Sequence, residues 1–223
     1  MHTFWPHVTH VRNQRSASVC TGKALANAKG ICEHMAGVML GRPSSLFPYF
    51  NGRYEPFRMH KTDAGAYIRY VVKSDQKVGT CDEKYWPFGL GKVNSQPRTQ
   101  AYMHAYPRAD GEYNAIKDLR AARELAVRAS VYAGYPVVSG VSVDKAYQQN
   151  DGPEIIDVCS GKIIGGHARV WIGWKYVQGY GTVYEELGSY SDDWRVGGRA
   201  WITGDFLDQC RDLTIVHGWN AIK

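Results

Sequence analysis

A cysteine, a glutamine and a histidine have the residue types and sequence settings that suit nucleophilic chemistry. Cys20 begins a stretch with helical periodicity, and the free amides at a helix N-terminus stabilise a thiolate and lower its pKa. Gln14, six residues earlier, can donate a hydrogen bond to an oxyanion forming beside the sulfur. His167 follows two glycines and precedes a β-branched run, where its imidazole can serve as the base. The predicted chemistry is attack of a thiol on a carbonyl carbon.

Helices in the first half and strands in the second are predicted to position these three residues. Apolar residues recur at three- and four-residue steps in the segments 20–40, 62–73 and 113–132. Short β-branched runs bounded by glycine or aspartate predict strands at 137–143, 168–174, 199–203 and 213–217. This order predicts an α+β protein of two lobes, with a seam between residues 89 and 110. We assign residues 1–105 to a helical lobe carrying the cysteine and 106–223 to a β-rich lobe carrying the histidine.

Length and composition are those of an ordinary globular protein. The chain has 223 residues, of which 44% are hydrophobic and 22% charged, so it can bury a full core. No apolar run approaches the roughly 20 residues of a spanning helix. The first 20 residues have no central apolar stretch and do not resemble a secretory signal. We therefore expect a cytoplasmic protein without a membrane partner.

The net charge of +6 allows weak attraction to polyanions. The basic residues are scattered along the chain, and no spacing typical of a nucleic-acid-binding motif occurs. We therefore expect no specific nucleic-acid partner.

The cysteines and the N-terminal histidines do not predict a metal site. The five cysteines are too far apart for a CxxC motif, and their odd number leaves at least one without an internal disulfide partner. The disulfide state is left open for Cys32, Cys81, Cys159 and Cys210. The histidines near the N-terminus lack acidic or cysteine partners and are interpreted as exposed side chains; they are His2, His7 and His10. No metal and no cofactor is predicted.

Six segments occur in an order that is typical of one protein family. They are NQRSASVCTGKALA, SSLFPYFNGR, DAGAYIRYVVKSDQKVGTCDEKYWPF, AGYPVVSGVSV, GGHARVWIGW and SYSDDWRVGGRAWI. The first is similar to NQGxxGSCTAxAxA and the last to NSWGxxWGxxGYxWI. Over nearly its whole length the chain thus resembles the papain-like cysteine peptidases, in the branch found in bacteria and their phages. The resemblance implies a helical N-terminal lobe, an antiparallel β-barrel-like C-terminal lobe, and an active-site cleft between them.

The resemblance also implies a role for each matching residue. Cys20 is the nucleophile, and His167 is the general base that later protonates the leaving amine. Gln14 donates to the oxyanion together with the backbone amide of Cys20. Gly65 matches the glycine beside which substrate backbone pairs in extended form. Trp194 matches a tryptophan that lines the leaving-group side of the cleft.

One catalytic position departs from the family pattern. The asparagine that holds the imidazole in place is matched here by Gly188, which has no side chain. Ser189 could orient the imidazole after a one-residue shift, and Asp192 or Asp193 could do so after a larger shift. Tyr190 replaces the tryptophan that shields this hydrogen bond from water. The whole orienting unit is therefore expected to be altered.

We expect a papain-like cysteine peptidase that hydrolyses a protein or peptide substrate through a Cys20 and His167 dyad. Its activity is expected to be attenuated or narrow in specificity, because the orienting asparagine is replaced. The NQ motif begins at Asn13, so no inhibitory propeptide is expected. One alternative is a weak or inactive papain-like structural or binding component of a phage virion or other assembly, with other subunits as partners. Another is an amidase that cleaves peptidoglycan crosslinks.

Overall fold

The computed structural model describes residues 1–38, 41–109, 111–117, 119–149 and 154–217. The α-helices are α1 (Cys20–Met35), α2 (Leu46–Phe57), α3 (Ile68–Val78), α4 (Thr99–Ala105), α5 (Ala121–Tyr132), α6 (Lys145–Gln148) and α7 (Gly204–Asp208). The strands are β1 (His2–Thr3), β2 (Tyr113–Ala115), β3 (Val137–Asp144), β4 (Ile155–Ile156), β5 (Ile163–Val177), β6 (Gly181–Leu187), β7 (Arg199–Thr203) and β8 (Arg211–Val216). The predicted α+β class is confirmed. Residues 39–40 of the first predicted helix and Asp110 of the predicted seam lie outside the described residues.

Glycines set the ends of the helices that flank the cleft. Helix α1 ends at Met35, earlier than the periodicity predicts, because Gly37 has a φ of +69° in the left-handed region. The second predicted helix begins six residues later than expected, at Ile68 instead of residue 62. Gly65, with a φ of +83°, keeps the chain before α3 out of helical geometry.

The segment predicted as one helix over 113–132 divides into a strand and a helix. Residues 113–115 form β2, which pairs with β8 in the register Tyr113 to Val216. Tertiary pairing has overridden the local helical periodicity here, and only α5 keeps it. Helix α2 was not predicted, because LFPYFNGRYEPF contains two prolines and a glycine. Its Gly52 lies against the backbone of Val71, so the missing side chain lets α2 and α3 pack closely.

The sheet has the strand order β2-β8-β3-β5-β6-β7-β4, and β1 pairs with the free part of β5. Its pairs are antiparallel except for β4 with β7. Within the described residues β2 and β4 are its two edges, so the predicted barrel-like lobe is an open sheet. The division of the chain at residue 105 stays a prediction.

Helix α1 packs directly on the sheet and forms the centre of the molecule. Leu25 and Ile31 of α1 belong to one core cluster with Trp171 of β5 and Val138 of β3, and all four are at most 2% exposed. Burying side chains of this size stabilises the fold by about 1.5–3 kcal/mol each. This packing fixes the start of α1 relative to β5, and therefore Cys20 relative to His167.

Buried ion pairs hold α1 from its other side. Lys29 lies 2.7 Å from Asp75 of α3, and Arg108 lies 3.1 Å from Glu33. The hydroxyl of Tyr113 on β2 donates to Asp75 as well. Such pairs tolerate little displacement, because removal of either partner leaves a buried charge uncompensated. No helix in the described parts of the chain is long and apolar enough to cross a membrane.

Candidate active site

A cleft of about 850 Å³ brings together four residues predicted to act in one site. Gln14 and Cys20 lie on the side formed by the start of α1, and His167 lies on β5. Gly65, before α3, lines the same cleft. The sequence motifs that carry these residues are up to 153 positions apart, from Gln14 to His167, and the fold closes that distance.

Cys20 is the first residue of α1, where the helix amides have no internal acceptors. No side chain caps this end, and no acidic residue occupies the first turn. The backbone amides of Ala168 and Thr21 hydrogen-bond to the sulfur and lower its pKa. Burial outweighs them, with a smaller contribution from the nearby Asp63 carboxylate, so the pKa of the Cys20 thiol is raised. The expectation of a lowered thiol pKa is therefore wrong, because the sequence did not show the depth of burial.

His167 is buried and is held by ring packing. On β5 it is the register partner of Val141 on β3. Its imidazole stacks on Tyr190, with ring centroids 4.5 Å apart and ring planes 19° apart. Its Nε2 is buried and has no hydrogen-bond partner among the described residues. Burial, followed by the positive charge of Arg169, lowers the pKa of His167 to about 3. Both shifts favour the uncharged forms of these groups, a thiol and a neutral imidazole.

Gln14 is fixed by hydrogen bonds of its backbone and of its side-chain amide. Its backbone amide donates to the Ser189 carbonyl at 2.8 Å, and the Ser189 hydroxyl donates to its Oε1 at 2.6 Å. Its Nε2 donates to the Ala17 carbonyl at 3.2 Å, which leaves the second Nε2 hydrogen for a ligand. The orientation of this side-chain amide is thus set before substrate arrives.

Ser189 supports Gln14 and not the imidazole. Its hydroxyl donates to Gln14, and the buried Nε2 of His167 has no hydrogen-bond partner among the described residues, so Ser189 does not hold the ring of His167 as its position in the sequence suggested. Asp192 and Asp193 line a different groove, away from the cleft that holds the imidazole. In the described chain the imidazole is therefore oriented by packing against Tyr190.

Trp194 lies below the cleft and not on its wall. Its side chain is 3% exposed and packs against the rings of Tyr190 and Tyr147 at 5.4 and 5.6 Å. It is not among the residues that line the cleft, and the predicted leaving-group contact stays a prediction. A Cβ added at Gly188 would lie 3.1 Å from this indole, which shows how closely the two residues pack.

Gly65 provides open space on the cleft wall. A Cβ built at this position would meet no atom within 4 Å, although its φ of +83° disfavours any other residue. A substrate backbone can therefore approach the chain here without meeting a side chain.

A buried ion pair behind His167 was missed by sequence reasoning. Arg169 and Glu186 are both 0% exposed and form a hydrogen-bonded pair, and Tyr147 donates to Glu186 at 2.8 Å. Arg169 follows His167 by two residues, so both side chains leave β5 on the same face. The only signal was a charged residue within the otherwise apolar ARVWIGW run.

The cysteines form no disulfide, and the described cysteines and histidines form no metal site. All five cysteines are free thiols in the structure. Within the described residues no group of three histidine, cysteine or acidic side chains could hold a metal ion. The Nδ1 atoms of His7 and His34 lie 3.0 Å apart, so one of these rings donates to the other.

Comparison with known proteins gives a relative by sequence. No protein-family model matches the chain. The uncharacterized peptidase C1-like protein L477 of Acanthamoeba polyphaga mimivirus is 29% identical over 177 residues, which are 73% of this chain and 55% of the relative. The chain thus spans about half of that relative's length.

Solved structures resemble the whole chain. Xylellain, a cysteine protease from Xylella fastidiosa, matches with a TM-score of 0.85 and 24% identity, over 97% of this chain and 85% of its own. The bromelain protease from Ananas comosus in complex with the E64 inhibitor matches with a TM-score of 0.71 and 16% identity, over 97% of each chain. With Cys20 at the start of its central helix and His167 on the facing strand, this chain has the papain-like cysteine protease fold.

Proposed function

We propose that the protein is a cysteine peptidase that hydrolyses peptide bonds with Cys20 as nucleophile and His167 as general base. The observation that carries the proposal is the single cleft lined by Cys20, His167, Gln14 and Gly65, in which the Gln14 amide is already oriented. The protease names of the similar structures and of the viral relative support the same activity. Within the family we assign the chain to the branch of bacteria and their phages.

The reaction starts from the neutral dyad. As the Cys20 sulfur attacks the scissile carbonyl carbon, the thiol proton passes to His167, and the carbonyl oxygen becomes an oxyanion. The free Nε2 hydrogen of Gln14 and the backbone amide of Cys20 donate to that oxyanion. The imidazolium then protonates the leaving amine, which departs and leaves a thioester. Water hydrolyses the thioester with His167 again as base, and the thiol is restored.

The replaced asparagine makes this peptidase slow or narrow in specificity. Gly188 offers no side chain to the imidazole, and Tyr190 holds only the plane of the ring. A neutral resting dyad also requires a proton transfer during attack. We expect a rate loss of about tenfold to a thousandfold relative to an oriented ion pair, about 1.4 to 4 kcal/mol of barrier.

The test is cleavage of a complex peptide mixture, read as new termini by mass spectrometry. The wild-type chain is expected to produce new termini, and Cys20→Ala is expected to produce none. Cys159→Ala, which removes a half-buried thiol outside the cleft, serves as the control and should cleave normally. E64, the inhibitor in the bromelain structure, should label Cys20 and block cleavage. Cleavage that survives Cys20→Ala contradicts the proposal.

A second candidate function is binding without cleavage, as a structural or binding component of a virion or another assembly. The observation that favours it is the buried His167 Nε2, which has no hydrogen-bond partner in the described chain. In that case the wild-type chain would retain peptides or other subunits on a column, and no new termini would form. The same mass-spectrometric assay therefore separates the two candidates.

A further inference from the structure

The carboxylate of Asp63 connects two segments that line the cleft. Its Oδ2 accepts a hydrogen bond from the Ser18 backbone amide at 2.8 Å, and its Oδ1 accepts one from the Tyr49 hydroxyl at 2.6 Å. Ser18 belongs to the loop that runs from Gln14 to Cys20, whereas Asp63 belongs to the segment before α3. One side chain thus links the loop of the nucleophile to the segment that carries Gly65.

Tyr49 extends this connection to Gly65. The backbone amide of Gly65 donates to the Tyr49 hydroxyl at 3.2 Å, and that hydroxyl donates in turn to Asp63. The Tyr49 side chain is 0% exposed, and the Arg53 guanidinium lies 3.9 Å from its ring centroid. The chain of contacts from Ser18 to Gly65 is therefore built on a rigid, buried support.

The charge of Asp63 works against the chemistry of the nearby thiol. Burial is the main cause of the raised pKa of Cys20, and the negative field of Asp63 adds a smaller contribution in the same direction, although a cysteine nucleophile needs a thiolate. A neutral side chain in its place would favour thiolate formation. The contribution of Asp63 to catalysis is therefore through position and not through charge.

We propose that Asp63 is a positioning residue, which holds the Gln14-to-Cys20 loop in register with Gly65. The proposal rests on the proposed peptidase function, because register matters when one substrate must contact both Gly65 and the oxyanion donors at once. Asp63 itself contacts neither the substrate nor the reacting atoms. It acts through the Ser18 amide on one side and the Tyr49 hydroxyl on the other.

The decisive variant is Asp63→Asn, because it removes the charge and one of the two hydrogen bonds. The amide oxygen can still accept from Ser18, but its NH₂ group cannot accept from Tyr49. We expect the midpoint pH of Cys20 alkylation to fall, while kcat for peptide cleavage drops about tenfold. Asp205→Asn makes the same chemical change at an exposed position of α7 and should alter neither quantity. Unchanged or increased turnover in Asp63→Asn overturns the proposal.

Tyr49→Phe separates position from charge, and it also covers the case in which Asp63→Asn does not fold. It removes the hydroxyl between Asp63 and Gly65 and keeps the carboxylate. The expected result is a lower kcat with an unchanged midpoint pH of alkylation. A normal kcat in this variant contradicts the positioning role.

Amide hydrogen exchange distinguishes failure of this proposal from failure of the proposed function. If the wild-type chain cleaves no peptide, the peptidase proposal fails by itself. The link is then measured by exchange of the Gly65 amide, which should be at least tenfold faster in Asp63→Asn than in wild type, because the Tyr49 hydroxyl that accepts from this amide has lost its own acceptor. Equal exchange rates in the two proteins contradict the link.

Discussion

The two walls of the cleft are held in place by different kinds of interaction. On the α1 side, directional hydrogen bonds fix the Gln14 amide and the Ser18 loop. On the sheet side, His167 stacks on Tyr190, and its Nε2 has no hydrogen-bond partner among the described residues. Hydrogen bonds define both distance and angle, whereas ring stacking defines only a plane.

This difference shows which part of the machinery is preorganised. On the side proposed to bind the oxyanion, the Gln14 amide is oriented in advance, because Gln14 Oε1 accepts from Ser189 and Nε2 keeps a hydrogen free. The side proposed to supply the base depends on ring packing, and burial and Arg169 lower the pKa of His167 to about 3, which favours a neutral imidazole. We therefore expect variants on the two walls to have different signatures.

The largest expected effect is on the free energy of unfolding, from a change in the buried pair of Arg169 and Glu186 on the sheet side of the cleft. Arg169→Met leaves Glu186 as an uncompensated buried charge and should lower the free energy of unfolding by about 3–5 kcal/mol. Urea unfolding measures this loss. In the double variant with Glu186→Gln, the amide can still accept from Tyr147, so most of the stability should return. A double variant as unstable as the single one contradicts the account of this pair.

The next largest effect is expected on kcat, from a change at Gln14 on the α1 side of the cleft. Gln14→Ala removes one donor and should lower kcat by about 10²–10³, about 2.7–4 kcal/mol, with little change in KM. Steady-state kinetics on a cleaved peptide measures both quantities. A raised KM with an unchanged kcat would show that Gln14 binds the ground state and the transition state equally well.

The smallest effect concerns the stacked ring. Tyr190→Leu removes the aromatic plane beside His167 and should lower kcat about tenfold, because the imidazole loses its orientation. Tyr190→Phe keeps the ring and should stay within about threefold of wild type. Peptide cleavage rates for the two variants give the comparison. Equal losses in both would assign the effect to the hydroxyl instead of the ring.

The sequence predicted the cleft through residues whose types are specific to their chemistry. Cys20, Gln14, Gly65 and His167 lie in recognisable segments, and all four line one cleft. Strand β7 also appears at the predicted residues, because Arg199–Thr203 is a short β-branched and aromatic run between turns. Local pattern is informative where a residue's neighbours in sequence decide its environment.

Features that depend on distant partners could not be predicted. The strand at Tyr113 forms because β8 is available to pair with it, although the local sequence has helical periodicity. The direction in which the pKa of Cys20 shifts depends on burial by elements far along the chain. The hydroxyl of Ser189 could have bonded either Gln14 or the imidazole, and only the fold decides between them.

The most direct test of the neutral dyad is the rate of Cys20 alkylation as a function of pH, in the wild-type chain and in His167→Ala. Alkylation requires the thiolate, and the pKa of the Cys20 thiol is raised while that of His167 is about 3. The account predicts slow labelling at neutral pH, a rate that climbs through and beyond the free-thiol pKa of about 8.5, and the same profile in both proteins. A fast plateau between about pH 5 and 8 that disappears in His167→Ala would show a thiolate–imidazolium pair and contradict the account.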